Sequence, residues 1–74
     1  MPDPVRDAAD VTNRVMDFLR KHYSFVVPVK AERSGAWWIV EADVGLTKPT
    51  IVRVRVNPGT GEIHDFQTIK ENVA

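Results

Sequence analysis

The sequence predicts an α+β fold in which one N-terminal helix packs on a three- to four-stranded antiparallel meander sheet. Apolar residues recur at three- and four-residue steps along the first third of the chain, which is the period of a buried helix face. After residue 25 they alternate with polar residues, in runs separated by turns that contain glycine or proline. One helix followed by short alternating strands indicates a sheet with one covered face and one open face.

Length and composition limit both the architecture and the chemistry. The 74 residues suffice for one domain, which spans residues 1–74. Ten basic and ten acidic side chains leave no net charge, so no long-range field attracts nucleic acid or an anionic membrane. A chain without cysteine has no disulfide, thiolate metal site or thiol nucleophile. The sequence contains no recognisable targeting or membrane-spanning segment, so we expect a cytoplasmic protein with no membrane contact.

A helix is predicted from about residue 4 to residue 23. Asp3 and Pro4 suit its first turn, because aspartate accepts free backbone N–H groups and proline lacks one. Arg20 and Lys21 complement the helix dipole at the other end. The predicted buried stripe consists of Val5, Ala8, Ala9, Thr12, Val15, Met16, Leu19 and Tyr23.

Alternation and turn residues predict four strands after the helix, over residues 29–33, 37–44, 50–57 and 62–67. Pro28 confines the first strand to an edge of the sheet. A two-residue turn at 34–35 would place Ala31 opposite Trp38. The residues predicted to face the helix are Trp38, Val40, Ala42, Val44, Val52, Val54 and Val56.

The fourth strand breaks the alternation. Ile63 and Phe66 are three residues apart, so a regular strand cannot bury both of them. A β-bulge at residues 64–65, or an early end of the strand, would allow both to reach the core. We therefore expect an irregular last strand.

The candidate functional site is the sheet face that the helix leaves open. The outward positions there include three large apolar residues, Trp37, Ile39 and Ile51, beside Arg53 and Arg55. Monomers seldom leave a contiguous apolar patch uncovered, and tryptophan and arginine often anchor interfaces. We expect these five residues to bind a protein partner, which is either a different protein or a second copy that forms a homodimer by stacking sheet on sheet.

The same outward residues are compatible with roles other than protein binding. Their charges could pair across strands, as Glu41 with Arg53, and form an ordinary solvated surface. Trp37 could be covered by the C-terminal segment, residues 66–73. A single-stranded nucleic-acid-binding module is the alternative function, because tryptophan and arginine on a flat sheet can hold unpaired bases. Interleaved acids such as Glu32 and Glu41 oppose nucleic acid on that face.

Catalysis is a further alternative, although we expect a non-catalytic protein without cofactor or metal. A small enzyme would use His64, which has Glu62 and Asp65 near it in sequence. Neighbouring strand residues point to opposite faces, and two ligands are too few for a metal site. A histidine on the surface near a turn accounts for His64 more simply.

Two families resemble the segment from residue 35 to residue 66. The PepSY-like domain is similar in its preceding helix, its tryptophan-containing strand, here 35–42, and its Thr-Gly-Glu turn, here 57–63 with Asn57 in place of Asp. The gas vesicle protein O family is similar in its order of elements, including Lys-Ala-Glu at 30–32, a Gly-x-Trp and a Val-Glu strand. The first resemblance implies an inhibitory or regulatory module, and the second implies an assembly factor.

Overall fold

A computed structural model describes residues 4–71, with the backbone alone at Lys70 and Glu71. The elements are α1 (Ala8–Arg20), β1 (Val27–Ser34), β2 (Trp37–Asp43), β3 (Thr50–Val56) and β4 (Ile63–Glu71). The strands form one antiparallel sheet in the order β1-β2-β3-β4, so β1 is an edge strand as predicted and β4 is the other edge. This confirms the predicted α+β fold of one helix on an antiparallel meander.

Helix α1 is shorter than predicted at both ends. Asp7 has an extended backbone and its carboxylate accepts the N–H of Asp10 at 2.8 Å, so this residue caps the helix. The predicted start at Pro4 is therefore wrong, and Asp3 lies outside the described residues. At the other end, the amides of His22 and Tyr23 both donate to the carbonyl of Leu19, which closes the last turn before the predicted end. Within residues 4–71, no helix is long and apolar enough to cross a membrane.

The core lies between one face of α1 and the inner face of the sheet. The fully or nearly fully buried apolar residues are Val11, Val15, Met16, Leu19, Val40, Ala42, Val52, Val54 and Val56. The stripe predicted on the helix omits Val11, and it wrongly includes Ala8 and Ala9, which are exposed. Val5, which precedes the shorter helix, is partly buried against this core, so the predicted stripe is interrupted only at the first turn of α1.

The turn between β1 and β2 differs by one residue from the prediction. Its two residues are Gly35 and Ala36, and Ala31 pairs with Val40 instead of Trp38. Gly35 has a φ of +57°, and the twist of a tight hairpin favours this left-handed conformation at the first turn position, where glycine adopts it without steric cost. The pairing changes by two residues, so residues 30–33 keep their predicted faces. Val29 is the exception, because the register shift between Pro28 and Lys30 makes it the extra residue of a β-bulge.

Strand β4 contains the predicted β-bulge and extends further than predicted. The register shifts between Arg55 and Val56, which leaves His64 as an extra residue. The bulge lets Ile63 and Phe66 both lie on the side of the helix, although they are three residues apart. A second register shift leaves Ile69 as an extra residue and allows pairing to continue to the end of the strand, four residues past the predicted bound.

Candidate interaction surface

The outer face is the side of the sheet opposite α1, and it contains all five predicted site residues. Trp37 and Ile39 lie on β2, and Ile51, Arg53 and Arg55 lie on β3. The strand register places Ile39 opposite Arg55. Their neighbours on the same face are Lys30 and Glu32 on β1, Glu41 and Asp43 on β2, and Asp65 and Gln67 on β4.

Glu41 is the centre of a charge network on the outer face. Its Oε2 accepts a hydrogen bond from Arg53 Nη2 at 3.4 Å, as the sequence predicted, and lies 3.8 Å from Lys30 Nζ. The Lys30 ammonium is also 3.7 Å from the carboxylate of Glu32. The side chain of Glu41 is only 11% exposed, whereas those of Lys30 and Arg53 are about half exposed. The two cations therefore cover and neutralise the carboxylate between them.

Arg55 forms a second ion pair beside this network. Its Nε donates to Oδ1 of Asp65 at 2.8 Å, and its Nη2 donates to Oδ2, so the pair is bidentate. The hydrogen bonds from Arg55 lower the pKa of the Asp65 carboxyl below its ordinary 3.8, and they raise the pKa of Arg55 in turn. This geometry holds the guanidinium of Arg55 in one orientation.

Trp37 lies at the end of β2, where its ring reaches across β3 to β4. The indole stacks on the imidazole of His64 at a centroid distance of 4.3 Å and an interplanar angle of 28°. The guanidinium carbon of Arg55 lies 5.9 Å from the centroid of the tryptophan ring. The alternative in which the C-terminal segment, residues 66–73, covers Trp37 is not supported by its described part, because residues 66–71 pair with residues 50–54 of β3 and Phe66 packs on Phe18 on the helix side. Residues 72 and 73 of that segment lie outside the described residues.

The large apolar side chains that are most exposed do not lie in the middle of the outer face. Trp37, Ile39 and Ile51 are half-buried. The exposed ones are Val27 and Val29 on β1, Leu46 in the loop between β2 and β3, and Phe66 and Ile69 on β4. Sequence reasoning missed the two apolar edges, because alternation assigns a residue to a face without showing how far its neighbours cover it.

The middle of the outer face is a shallow depression of about 390 Å³, lined by Glu32, Ser34, Ile39, Arg53, Arg55 and Gln67. The residues of the enzymatic alternative do not converge on it: His64 stacks on Trp37, and Asp65 binds Arg55. Among the side chains that the structure describes, no group of three or more histidine, aspartate or glutamate residues could hold a metal ion. What the outer face offers is one half-buried apolar residue, Ile39, among polar side chains and paired charges.

Comparisons with known proteins found no matching family, no matching curated protein and no matching solved structure. The resemblances to the PepSY-like domain and to the gas vesicle protein O family stay predictions. Function is therefore inferred from the side chains of the outer face.

The Arg55–Asp65 pair predicts a measurable shift in titration. Because the pKa of Asp65 is lowered in the folded chain, the pair stabilises the fold above the ordinary value of 3.8, and this contribution is lost as the pH falls through the lowered pKa. Replacing Arg55 with glutamine should return the pKa of Asp65 toward 3.8, as measured by NMR of its side-chain carboxyl carbon. The matched control is Arg20→Gln, which removes the exposed partner of Asp17 and should leave Asp65 unchanged. Identical titration of Asp65 in R55Q and in the wild type would contradict the pairing.

Proposed function

We propose that this protein is a non-catalytic interaction module, that its outer face is the contact surface, and that its partner is a second copy. The observation that carries the proposal is the ordered set of anchors around Ile39. Arg55 is held by Asp65, and Trp37 is held by His64. Anchors that are already ordered lose little side-chain entropy when they enter an interface. Tryptophan and arginine are also the residue types that contribute most at interface centres.

The charges of the outer face favour a second copy over a strongly charged partner. The acids Glu41 and Asp43 lie on β2, and the cations Arg53 and Arg55 lie on the adjacent β3. Glu41 is paired with Arg53, and Arg55 with Asp65, within each copy, so two such faces that stack about a two-fold axis bring together neutral pairs instead of like charges. A chain with no net charge adds no overall repulsion to this contact.

The biological role that we propose is assembly or regulation in the cytoplasm. Both family resemblances imply a role of this kind without catalysis. A homodimer joined through the outer faces would leave α1 of each copy on the outside.

Replacement of the apolar anchors tests the proposal. The double variant Trp37→Ser with Ile39→Thr should remove self-association, measured as molar mass by light scattering over a hundredfold range of concentration, and should leave the circular dichroism spectrum unchanged. The matched control is Val29→Ser with Leu46→Thr, which removes two apolar side chains that are more exposed. Equal association of the two variants would refute the role of the outer face. If the first variant unfolds, Trp37 and Ile39 are required for folding and are not contact residues.

The same contacts give less support to the alternative function, binding of single-stranded nucleic acid. One face of the Trp37 ring is occupied by His64, and both Arg53 and Arg55 are engaged by carboxylates. Nucleic-acid binding would weaken steeply as salt is added and would fall on replacement of either arginine. Dimerisation through faces whose charges are already paired within each copy should depend much less on salt.

A further inference from the structure

The outer face contains one of the two histidines in the chain. The register shift between Arg55 and Val56 leaves His64 as the extra residue of β4, and its ring stacks on the indole of Trp37 with the two centroids 4.3 Å apart. Histidine is the side chain that ordinarily changes its charge between pH 5 and 8. A group whose charge depends on pH therefore lies against the aromatic anchor of the candidate surface.

The surroundings of His64 supply no carboxylate for a protonated ring. Its neighbour in the chain, Asp65, already accepts two hydrogen bonds from Arg55. Glu62 is exposed and forms no ion pair in the part of the chain that the structure describes. On β2, Trp37 carries no charge, and the charge that faces the stack from β3 is positive, because the guanidinium carbon of Arg55 lies 5.9 Å from the indole centroid. Protonation of His64 thus places a second cation at the same indole.

We infer that protonation of His64 weakens the contact through the outer face, so that self-association depends on pH. This inference rests on the homodimer proposed above. The stack of His64 on Trp37 exists in the single chain, so its strengthening by a charged imidazole is the same before and after association. Desolvation differs between the two states: His64 is exposed in the single chain, and a second copy seated on Trp37 removes water from the ring beside it. Removing water costs more for a charged imidazole than for a neutral one.

Comparison of self-association at pH 7 and at about pH 5.5 tests the inference, because aspartate and glutamate ordinarily keep their charge over this interval. Light scattering over a concentration series should give a dissociation constant about fivefold or more larger at the lower pH. His64→Gln removes the titrating group and should associate equally at both values. The matched control is His22→Gln, which replaces the other histidine, at the end of α1 with its ring 6.4 Å from that of Phe66. This control should keep the pH dependence of the wild type.

The same coupling can be measured on the wild-type chain alone. Coupling between two equilibria is reciprocal, so association should remove protons from His64. At about pH 6, where histidine is ordinarily part-protonated, the ring-proton NMR signals of His64 should move toward those of the neutral imidazole as the protein concentration rises. The signals of His22 should stay in place.

The outcomes separate this inference from the homodimer on which it rests. A wild-type chain that stays monomeric at pH 7 refutes the homodimer and the inference with it. Association that is equally strong at both pH values overturns the inference alone. The same holds if H64Q retains the full pH dependence, or if the His64 signals at about pH 6 do not move with concentration.

Discussion

Replacing Leu19 with alanine should lower the free energy of unfolding by about 3 kcal/mol. Leu19 is fully buried and belongs to the single core between α1 and the sheet. The loss is large because the variant removes buried apolar surface and also leaves a cavity. Small domains have a total stability of only about 5 kcal/mol or a little more, so urea denaturation should show a large displacement of the midpoint.

The control for this prediction is another leucine in the same chain. Leu46 is 72% exposed in the loop between β2 and β3, and its replacement with alanine should change the free energy of unfolding by less than about 0.5 kcal/mol. Similar destabilisation at both positions would mean that Leu19 does not lie in the core.

Replacing Gly45 with alanine should destabilise the fold by roughly 2–3 kcal/mol. A Cβ atom at this position would lie 1.6 Å from the carbonyl oxygen of Lys48 and 2.8 Å from the backbone nitrogen of Thr50. Both are backbone atoms, so no side-chain rotation can relieve the overlap. The loop is also fixed by Asp43, whose Oδ1 accepts the N–H of Gly45 at 2.9 Å and that of Thr50 at 3.1 Å. Thermal unfolding followed by circular dichroism measures the cost.

Gly59 provides the comparison for Gly45. A Cβ atom there would meet only the Asn57 side-chain oxygen, at 3.4 Å, which is close to ordinary contact. Gly59→Ala should therefore leave the melting temperature almost unchanged. If G45A melts like G59A, the close approach of Gly45 to the backbone of Lys48 does not exist in solution.

The fold could be predicted from sequence because its strongest signals are local and agree with one another. Val52, Val54 and Val56 alternate without interruption, and all three are fully buried on the inner face. The spacing of Ile63 and Phe66 required a bulge, and the bulge at His64 has the predicted place. The end of α1 nearest the N-terminus was mispredicted because Asp3 and Asp7 are equally good caps in sequence. In the structure, the backbone of Asp7 is extended and its carboxylate accepts the amide N–H of Asp10.

The residues that form the candidate surface could be predicted from the sequence, but the contacts between them could not. Alternation placed Trp37, Ile39 and Arg55 on one face, which depends only on the parity of their positions. The stacking of Trp37 on His64 joins β2 to β4 across an intervening strand, and it needs the bulge that turns His64 outward. Likewise, the exposure of Phe66 depends on how far α1 extends over the sheet. Tertiary arrangement sets both features, so the local pattern of residues does not contain them.

The outer face as a self-association surface is tested most directly by the indole N–H signals of the two tryptophans. Trp37 lies on the outer face, whereas Trp38 faces the helix, where its Nε1 is buried without a hydrogen-bond partner in the described part of the chain. In ¹H–¹⁵N NMR spectra recorded over a hundredfold dilution, we predict that the Trp37 indole signal shifts and that the Trp38 indole signal stays in place. A Trp37 signal that does not move with concentration would contradict the proposed homodimer.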